Sequence, residues 1–150
     1  MLRDLNSTNL DRRSQPVIAI GGGVLTDVVG FATSTFRRSI PHVKIPTTLM
    51  GYVDASIGIK TGINFSGYKN RIGSFHPPLK VYLDKTFLTT LPTRHIRNGT
   101  GEIIKLAIIK DKHLFEQLET HGATAIASKF QDTNSDPILN QSIEGMIREL

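Results

Sequence analysis

The chain is predicted to be α/β over residues 1–92 and all-α over residues 93–150. Three observations carry this. An apolar run, Val17-Ile18-Ala19-Ile20, enters Gly21-Gly22-Gly23 and leaves as a helical pattern. Two further short apolar runs, near residues 43–45 and 80–83, alternate with helical segments, as in sheets built from parallel strands. Beyond Pro92, apolar residues recur only at helical spacing.

Taken in order, residues 1–15 are polar and lack clear periodicity. Residues 16–20 form a continuous apolar run, as in a buried parallel strand. Residues 25–36 follow as a helix, with Val28, Val29, Phe31 and Ala32 available for packing. Residues 43–45 are the second strand, ended by Pro46. Residues 47–53 are expected to be helical with Thr47 near the N-cap. Gly58, Gly62, Gly67 and Gly73 then suggest an irregular stretch. Residues 80–83 are a third strand, and residues 86–91 a helical turn ended by Pro92. Residues 93–109 form a helix with Ile96, Ile103 and Ala107 on one side. Residues 112–120 form another, followed by Gly122, and residues 137–150 a third, with Ile138, Ile143, Met146 and Ile147 for packing. Residues 131–136 are the polar loop between the last two helices. A boundary near Pro92 divides the two halves.

Composition narrows the function classes. Hydrophobic residues make 39% and charged residues 21% of the 150, so a packed core is expected rather than disorder. No apolar run approaches the ~20 residues that span a bilayer, and Met1-Leu2-Arg3-Asp4 opens no secretory leader. The absence of cysteine rules out disulfides and thiolate metal sites and suits a reducing cytoplasm. The net charge of +5 invites a nucleic-acid reading. Its bases are scattered singly or in pairs, Arg12-Arg13 and Arg37-Arg38 among them, without an aromatic stacking platform. Anionic small molecules account for the charge equally well, so neither nucleic acid nor membrane is expected as a partner.

The glycine turn is the first chemical candidate. Glycine lets a ligand approach the backbone, and a helix start offers N–H groups and a positive dipole end to phosphate. Gly-Gly-Gly is not the spaced dinucleotide fingerprint, so a purely structural turn stays open beside a nucleotide site. Asp54 and Lys60 flank a glycine-containing bend, which alone is equally well a helix-end acid and a surface lysine. Glu102 and Lys105, at i and i+3, share a helix face with Asn98, and such pairs are commonly solvated ion pairs.

Five motifs stand in order. They are the turn itself, Pro46-Thr47-Thr48-Leu49, Val53-Asp54-Ala55-Ser56 with Lys60, Lys69-Asn70-Arg71-Ile72-Gly73, and Asn98-Gly99-Thr100-Gly101-Glu102 with Lys105. Together with Phe75-His76-Pro77-Pro78 they resemble the dehydroquinate synthase superfamily of sugar-phosphate cyclases, from about Arg12 to about Glu119. Ala55, Pro77-Pro78, the Arg37-Arg38 pair and Arg94-to-Gly99 look more like the sedoheptulose 7-phosphate cyclases, toward the valiolone-type rather than the gadusol-type branch.

The resemblance implies the last half of a Rossmann-like NAD-binding domain, followed by the start of a helical metal- and substrate-binding domain. It implies NAD contacts at Gly22, Gly23, Val24, Asp27, Thr47, Thr48, Lys69, Phe87, Leu88, Thr89, Thr90 and Asn98. Asp54, Lys60 and Lys105 would be catalytic and would hold the sugar phosphate together with Asn70. Arg38 would be lent to the neighbouring active site of a homodimer. Glu102 would be the carboxylate ligand of a catalytic Zn²⁺ (or Co²⁺), whose two histidine ligands would lie beyond Leu150. Family members also carry about a hundred residues before the glycine turn, so the chain is expected to be a central fragment, inactive alone.

The implied reaction oxidises a ring hydroxyl with NAD⁺, eliminates phosphate, returns the hydride and closes a carbocycle. Dehydroquinate synthase itself is the nearest rival. Metal-dependent glycerol or alcohol dehydrogenases fit the Lys69-Asn70 and Glu102-to-Lys105 motifs less well. A non-catalytic remnant that only associates with full-length subunits is the reading from a different class.

Overall fold

A computed structural model of the chain describes residues 1–11 and 13–150. Arg12, where the resemblance begins, lies outside the described residues. The sequence alternates as expected through its first half. Helix α1 (Leu2–Ser7) precedes strand β1 (Val17–Gly21), helix α2 (Gly23–Thr35) and strand β2 (His42–Pro46). A π-helical turn (Gly51–Ala55) leads into strands β3 (Lys60–Phe65) and β4 (Tyr68–Phe75). The short strand β5 (Lys80–Val81) and a 3₁₀ turn (Lys85–Thr90) follow. Helices α3 (Thr93–Lys110), α4 (Lys112–Ala127) and α5 (Ser135–Ile147) complete the chain.

Strands β1, β2 and β5 make a parallel sheet with β2 in the middle, in register Val17 to His42 and Val43 to Lys80. Helix α2 covers the face carrying Ala19, His42 and Lys44, and Gly30 of α2 lies against the His42 ring. On the other face Ile18 and Ile20 are 58% and 55% exposed. So the buried face holds a histidine and a lysine, and the apolar face is open along β1 while Val43 of β2 is buried.

Four expectations need correction. The glycine-punctuated stretch is an antiparallel β3–β4 hairpin. Its turn has Ser66 at φ 49° and Gly67 at φ 80°, the two left-handed residues that tight hairpins require. Gly73 permits strand contact rather than breaking it, because a Cβ there would stand 2.2 Å from the Thr61 carbonyl oxygen. The hairpin is fastened to α2 by Ser74 Oγ, which donates to Ser34 Oγ at 2.8 Å. Residues 1–15 contain α1, which buries Leu5 against Ala32 and Ile40. The cap of the segment after β2 is Thr48, whose Oγ1 accepts from Gly51 N at 3.1 Å, rather than Thr47. Finally, α4 runs through Gly122 to Ala127. Ala125, wholly buried, and Ile126 give this last stretch a core to pack on, which outweighs the ~1 kcal/mol cost of a mid-helix glycine.

The helices meet as their periodicity requires. Ile96, Ile103 and Ala107 of α3 are buried with Leu114, Ala125, Ile138 and Leu139. The same cluster takes in Leu49, Tyr52, Val53 and Leu88, so one core runs across Pro92. Asp111 joins the three helices: its carboxylate accepts from Leu114 N at 3.0 Å and from Gln141 Nε2 of α5.

Candidate active site

The glycine turn ends β1 and starts α2, with Gly22 as its N-cap and no side-chain cap among the described residues. The first N–H groups of α2 are therefore without a side-chain cap, beside Val24, which is 82% exposed. A Cβ on Gly22 would stand 3.0 Å from Thr48 Cγ2, so a side chain here would crowd the turn. Thr47 N donates to Gly21 O at 2.9 Å, which draws Thr47 and Thr48 to the same place. Gly22, Gly23, Val24, Thr47 and Thr48 thus form one neighbourhood. Its backbone donors and bare glycine surface fit the diphosphate of a dinucleotide.

A cleft of about 510 Å³ opens beside it, and its walls include Asp27, Asp54, Lys60, Glu102 and Lys105. Four elements supply these five side chains: α2, the π-helical turn, the start of β3, and α3. Burial raises the Asp54 carboxyl above its ordinary range, and Glu102 adds to this; Lys105, Lys60 and Lys44 oppose it. Burial also raises Asp27, with Lys44 opposing and Asp54 reinforcing. Lys105 is ion-paired with Glu102, and that hydrogen bond raises its pKa. The cleft therefore joins acids under desolvation to the cations Lys60 and Lys105, a combination suited to binding a polyhydroxylated anion.

Other expected residues lie elsewhere. Arg38 is exposed and follows Arg37 at φ 47°; Arg38 at φ 65° and Ser39 at φ 94° continue a run of positive φ, after which Ile40 is buried and its N donates to Thr33 O at 2.9 Å. Lys69 and Asn70 are exposed on β4, outside the cleft walls. The Asn70 side chain lies over Gly62, and Asn70 N donates to Asn64 Oδ1 at 3.1 Å. Leu88 is wholly buried in the helical core, while Phe87, Thr89 and Thr90 are exposed on the 3₁₀ turn. Asn98 is exposed on α3.

The metal fares differently from the dinucleotide. Among the described residues no group of three or more His, Cys, Asp or Glu side chains could hold an ion. Glu102 offers one hard oxygen ligand, and catalytic zinc normally takes three from the protein. These residues alone do not make a zinc site.

Sequence reasoning missed Lys44 and His42. Lys44 is wholly buried, and its ammonium donates to Ala55 O at 3.0 Å and Gly58 O at 3.1 Å, beneath the bend from Asp54 to Lys60. A lysine inside the apolar stretch Val43-Lys44-Ile45 was the available signal. His42 is wholly buried with neither ring nitrogen partnered among the described residues. Burial, then His76 and Lys44, lowers it to about 4.

Known proteins resemble the chain in sequence and in fold. The 2-epi-5-epi-valiolone synthase of Streptomyces hygroscopicus subsp. jinggangensis is 46% identical over 97% of the chain. Its structure, with NAD⁺ and Zn²⁺ bound, superposes with a TM-score of 0.97 at 47% identity, covering 99% of this chain and 41% of that one. The 3-dehydroquinate synthase of Helicobacter pylori strain G27 is 52% identical over 80% of the chain and 35% of its own length. A 2-deoxy-scyllo-inosose synthase complexed with carbaglucose-6-phosphate, NAD⁺ and Co²⁺ matches with a TM-score of 0.69 at 27% identity, over 99% of this chain and 44% of that one. The chain spans 37% of the length of the valiolone synthase it matches. The sequence model of the 3-dehydroquinate synthase N-terminal family matches residues 1–98, about two thirds of the chain, which therefore belongs to the dehydroquinate synthase family.

Proposed function

We propose that the chain supplies the dinucleotide turn, the substrate-facing bend and one metal-ligating carboxylate of a sugar-phosphate cyclase. The substrate read from it is sedoheptulose 7-phosphate, and the reaction is carbon–oxygen lysis of phosphate with closure of a carbocycle. The product would be a cyclitol of the 2-epi-5-epi-valiolone kind. One observation carries this reading: Asp54, Lys60, Glu102 and Lys105, from three elements, line a single cleft. The valiolone synthase match extends over 97% of the chain at 46% identity, whereas dehydroquinate synthases match 93% at 45% or 80% at 52%.

NAD⁺, when bound, supplies hydride abstraction and return, and a metal ion supplies Lewis acidity. The chain's own residues do the rest of what is proposed. Asp54 accepts hydrogen bonds from substrate hydroxyls. Lys60 and Lys105 bind phosphate oxygens and neutralise the charge that grows as phosphate departs. Asn70 assists at the phosphate. Gly22, Gly23 and Val24 hold the cofactor diphosphate, with Asp27, Thr47 and Thr48 around it. Lys69, Asn98 and the turn from Phe87 to Thr90 complete the cofactor set. Glu102 is one metal ligand. Arg38, outside the cleft, is read as donated to a neighbouring subunit of a homodimer. Residues 1–92 are read as part of an NAD-binding α/β domain and residues 93–150 as part of a helical metal- and substrate-binding domain; Asp54, Lys60 and Asn70 would serve the substrate from the first and Asn98 the cofactor from the second, across one continuous core.

The second reading is 3-dehydroquinate synthase, favoured by the 52% identity over 120 residues. A graft separates the two. Residues 1–150 replace the matching segment in the Streptomyces valiolone synthase and, separately, in the Helicobacter dehydroquinate synthase. Phosphate release is then followed with NAD⁺, Zn²⁺ and each host's own substrate. Activity is expected in the valiolone synthase host. Activity confined to the dehydroquinate synthase host moves the chain to that branch, and none in either host overturns the cyclase reading. The chain by itself is expected to release no phosphate. Release abolished by Glu102→Ala would overturn that expectation.

A further inference from the structure

Lys44 is wholly buried and is among the largest of the buried side chains that the structure describes. Its backbone is fixed on both sides in the middle strand, paired with Ala19 and Val81, and its carbonyl accepts from Tyr82 N at 2.9 Å. The side chain does not line the cleft. It ends instead against two main-chain oxygens, Ala55 O and Gly58 O, that lie between Asp54 and Lys60. Within residues 55–58, Ser56 N donates to Gly51 O, and Ile57 N and Gly58 N share Asp54 O, so the Lys44 ammonium adds the tie from this bend to the sheet. Burying an ammonium is costly unless it is paired and hydrogen-bonded. An apolar side chain would fill the same space, so the charge calls for a cause beyond packing.

We propose that Lys44 is a positioning residue for the substrate-facing bend. Its ammonium clamps residues 55–58 to the sheet, so that Asp54 and Lys60 hold fixed places on the cleft wall. It also supplies the buried positive charge that Asp27 and Asp54 experience from behind the cleft. The role in catalysis rests on the cyclase reading, whereas the clamp does not.

Two measurements separate these. Hydrogen exchange is followed in the chain and in its Lys44→Met and Lys44→Arg variants. In Lys44→Met, amides of residues 55–60 are expected to exchange at least about tenfold faster, the loss of a hydrogen bond to a charged donor. Residues 112–127 are expected to be unchanged, and Lys44→Arg is expected to restore most of the protection. Acceleration spread over the whole chain, or none in residues 55–60, overturns the clamp. The same substitutions in the valiolone synthase graft are expected to raise KM for sedoheptulose 7-phosphate in Lys44→Met, with Lys44→Arg close to the unsubstituted graft and metal content constant throughout. An unchanged KM overturns the catalytic part. If the graft with Lys44 intact binds no sugar phosphate, the cyclase reading fails while the exchange result still decides the clamp. Should Lys44→Met not fold, the unsubstituted chain decides it. A ¹⁵N spectrum of the lysine ammonium groups is expected to show one protected from solvent exchange, with cross-relaxation to the Gly58 α protons. Its absence overturns the proposal.

Discussion

Gly99 of α3 is where the helical half presses hardest on the segment bearing Asp54. A Cβ there would lie 2.6 Å from both Cβ and Cγ of Leu49 and 2.8 Å from Met50 N. Ordinary carbon contacts are ~3.5–4.0 Å, so α3 or the Leu49 turn must retreat by about 1 Å. Leu49 is wholly buried and Met50 N is main chain, so no flexible side-chain tip can absorb the move. Overpacking of this kind costs about 1–3 kcal/mol. Alanine returns about 1 kcal/mol of helix propensity, leaving Gly99→Ala destabilised by about 0–2 kcal/mol. Gly101, two residues on, has nothing within 4 Å of its added Cβ. Gly101→Ala should therefore gain about 1 kcal/mol. The two variants should differ by the overpacking cost, about 1–3 kcal/mol, in urea unfolding followed by circular dichroism, the chain having no tryptophan. Equal stability of Gly99→Ala and Gly101→Ala would refute the contact.

Further outcomes are expected. His42 has its pKa lowered to about 4 from an ordinary 6.5 by burial, so the folded state favours the neutral ring. That stabilisation is complete above pH 6.5 and disappears as pH falls toward 4; wild type should lose about 3 kcal/mol more than His42→Gln between pH 7 and pH 4, and parallel pH profiles would contradict it. In the valiolone synthase graft, Glu102→Gln keeps shape but loses charge and should lower bound zinc, measured by atomic emission. Equal zinc in Glu102→Gln and the unsubstituted graft removes Glu102 from the ligand set. Lys60→Ala in the same graft should keep its zinc and raise KM for sedoheptulose 7-phosphate by about tenfold or more. An unchanged KM would take Lys60 away from the phosphate.

Much of the fold is legible where apolar spacing and punctuation agree. An apolar run ending in glycines gives β1, the turn and α2 within two residues of their observed limits. The 3.6-residue recurrence of Ile96, Ile103 and Ala107 gives α3 and its buried face. The hairpin is not legible because glycine has two meanings. In a loop it frees the backbone; at Gly73 it lets a carbonyl approach where a methyl would collide. Asp54, Lys60 and Glu102 are recognised through the family motifs, and only the tertiary structure puts them around one cleft. Lys44 escapes because its partners are main-chain oxygens 11 and 14 residues later, which no side-chain pattern encodes.

The core that runs from Leu49 and Val53 into Ile96, Ile103 and Ile138 has a dynamic consequence. Interiors packed at crystal-like density move as blocks. The segment carrying Asp54 and the helix carrying Glu102 and Lys105 are therefore walls of one block, and the spacing between them is set before any ligand arrives. Thermal motion can rock this block but not open it like a jaw. Any closure over the cleft must come from elements outside this shared core, swinging onto walls that are already in place.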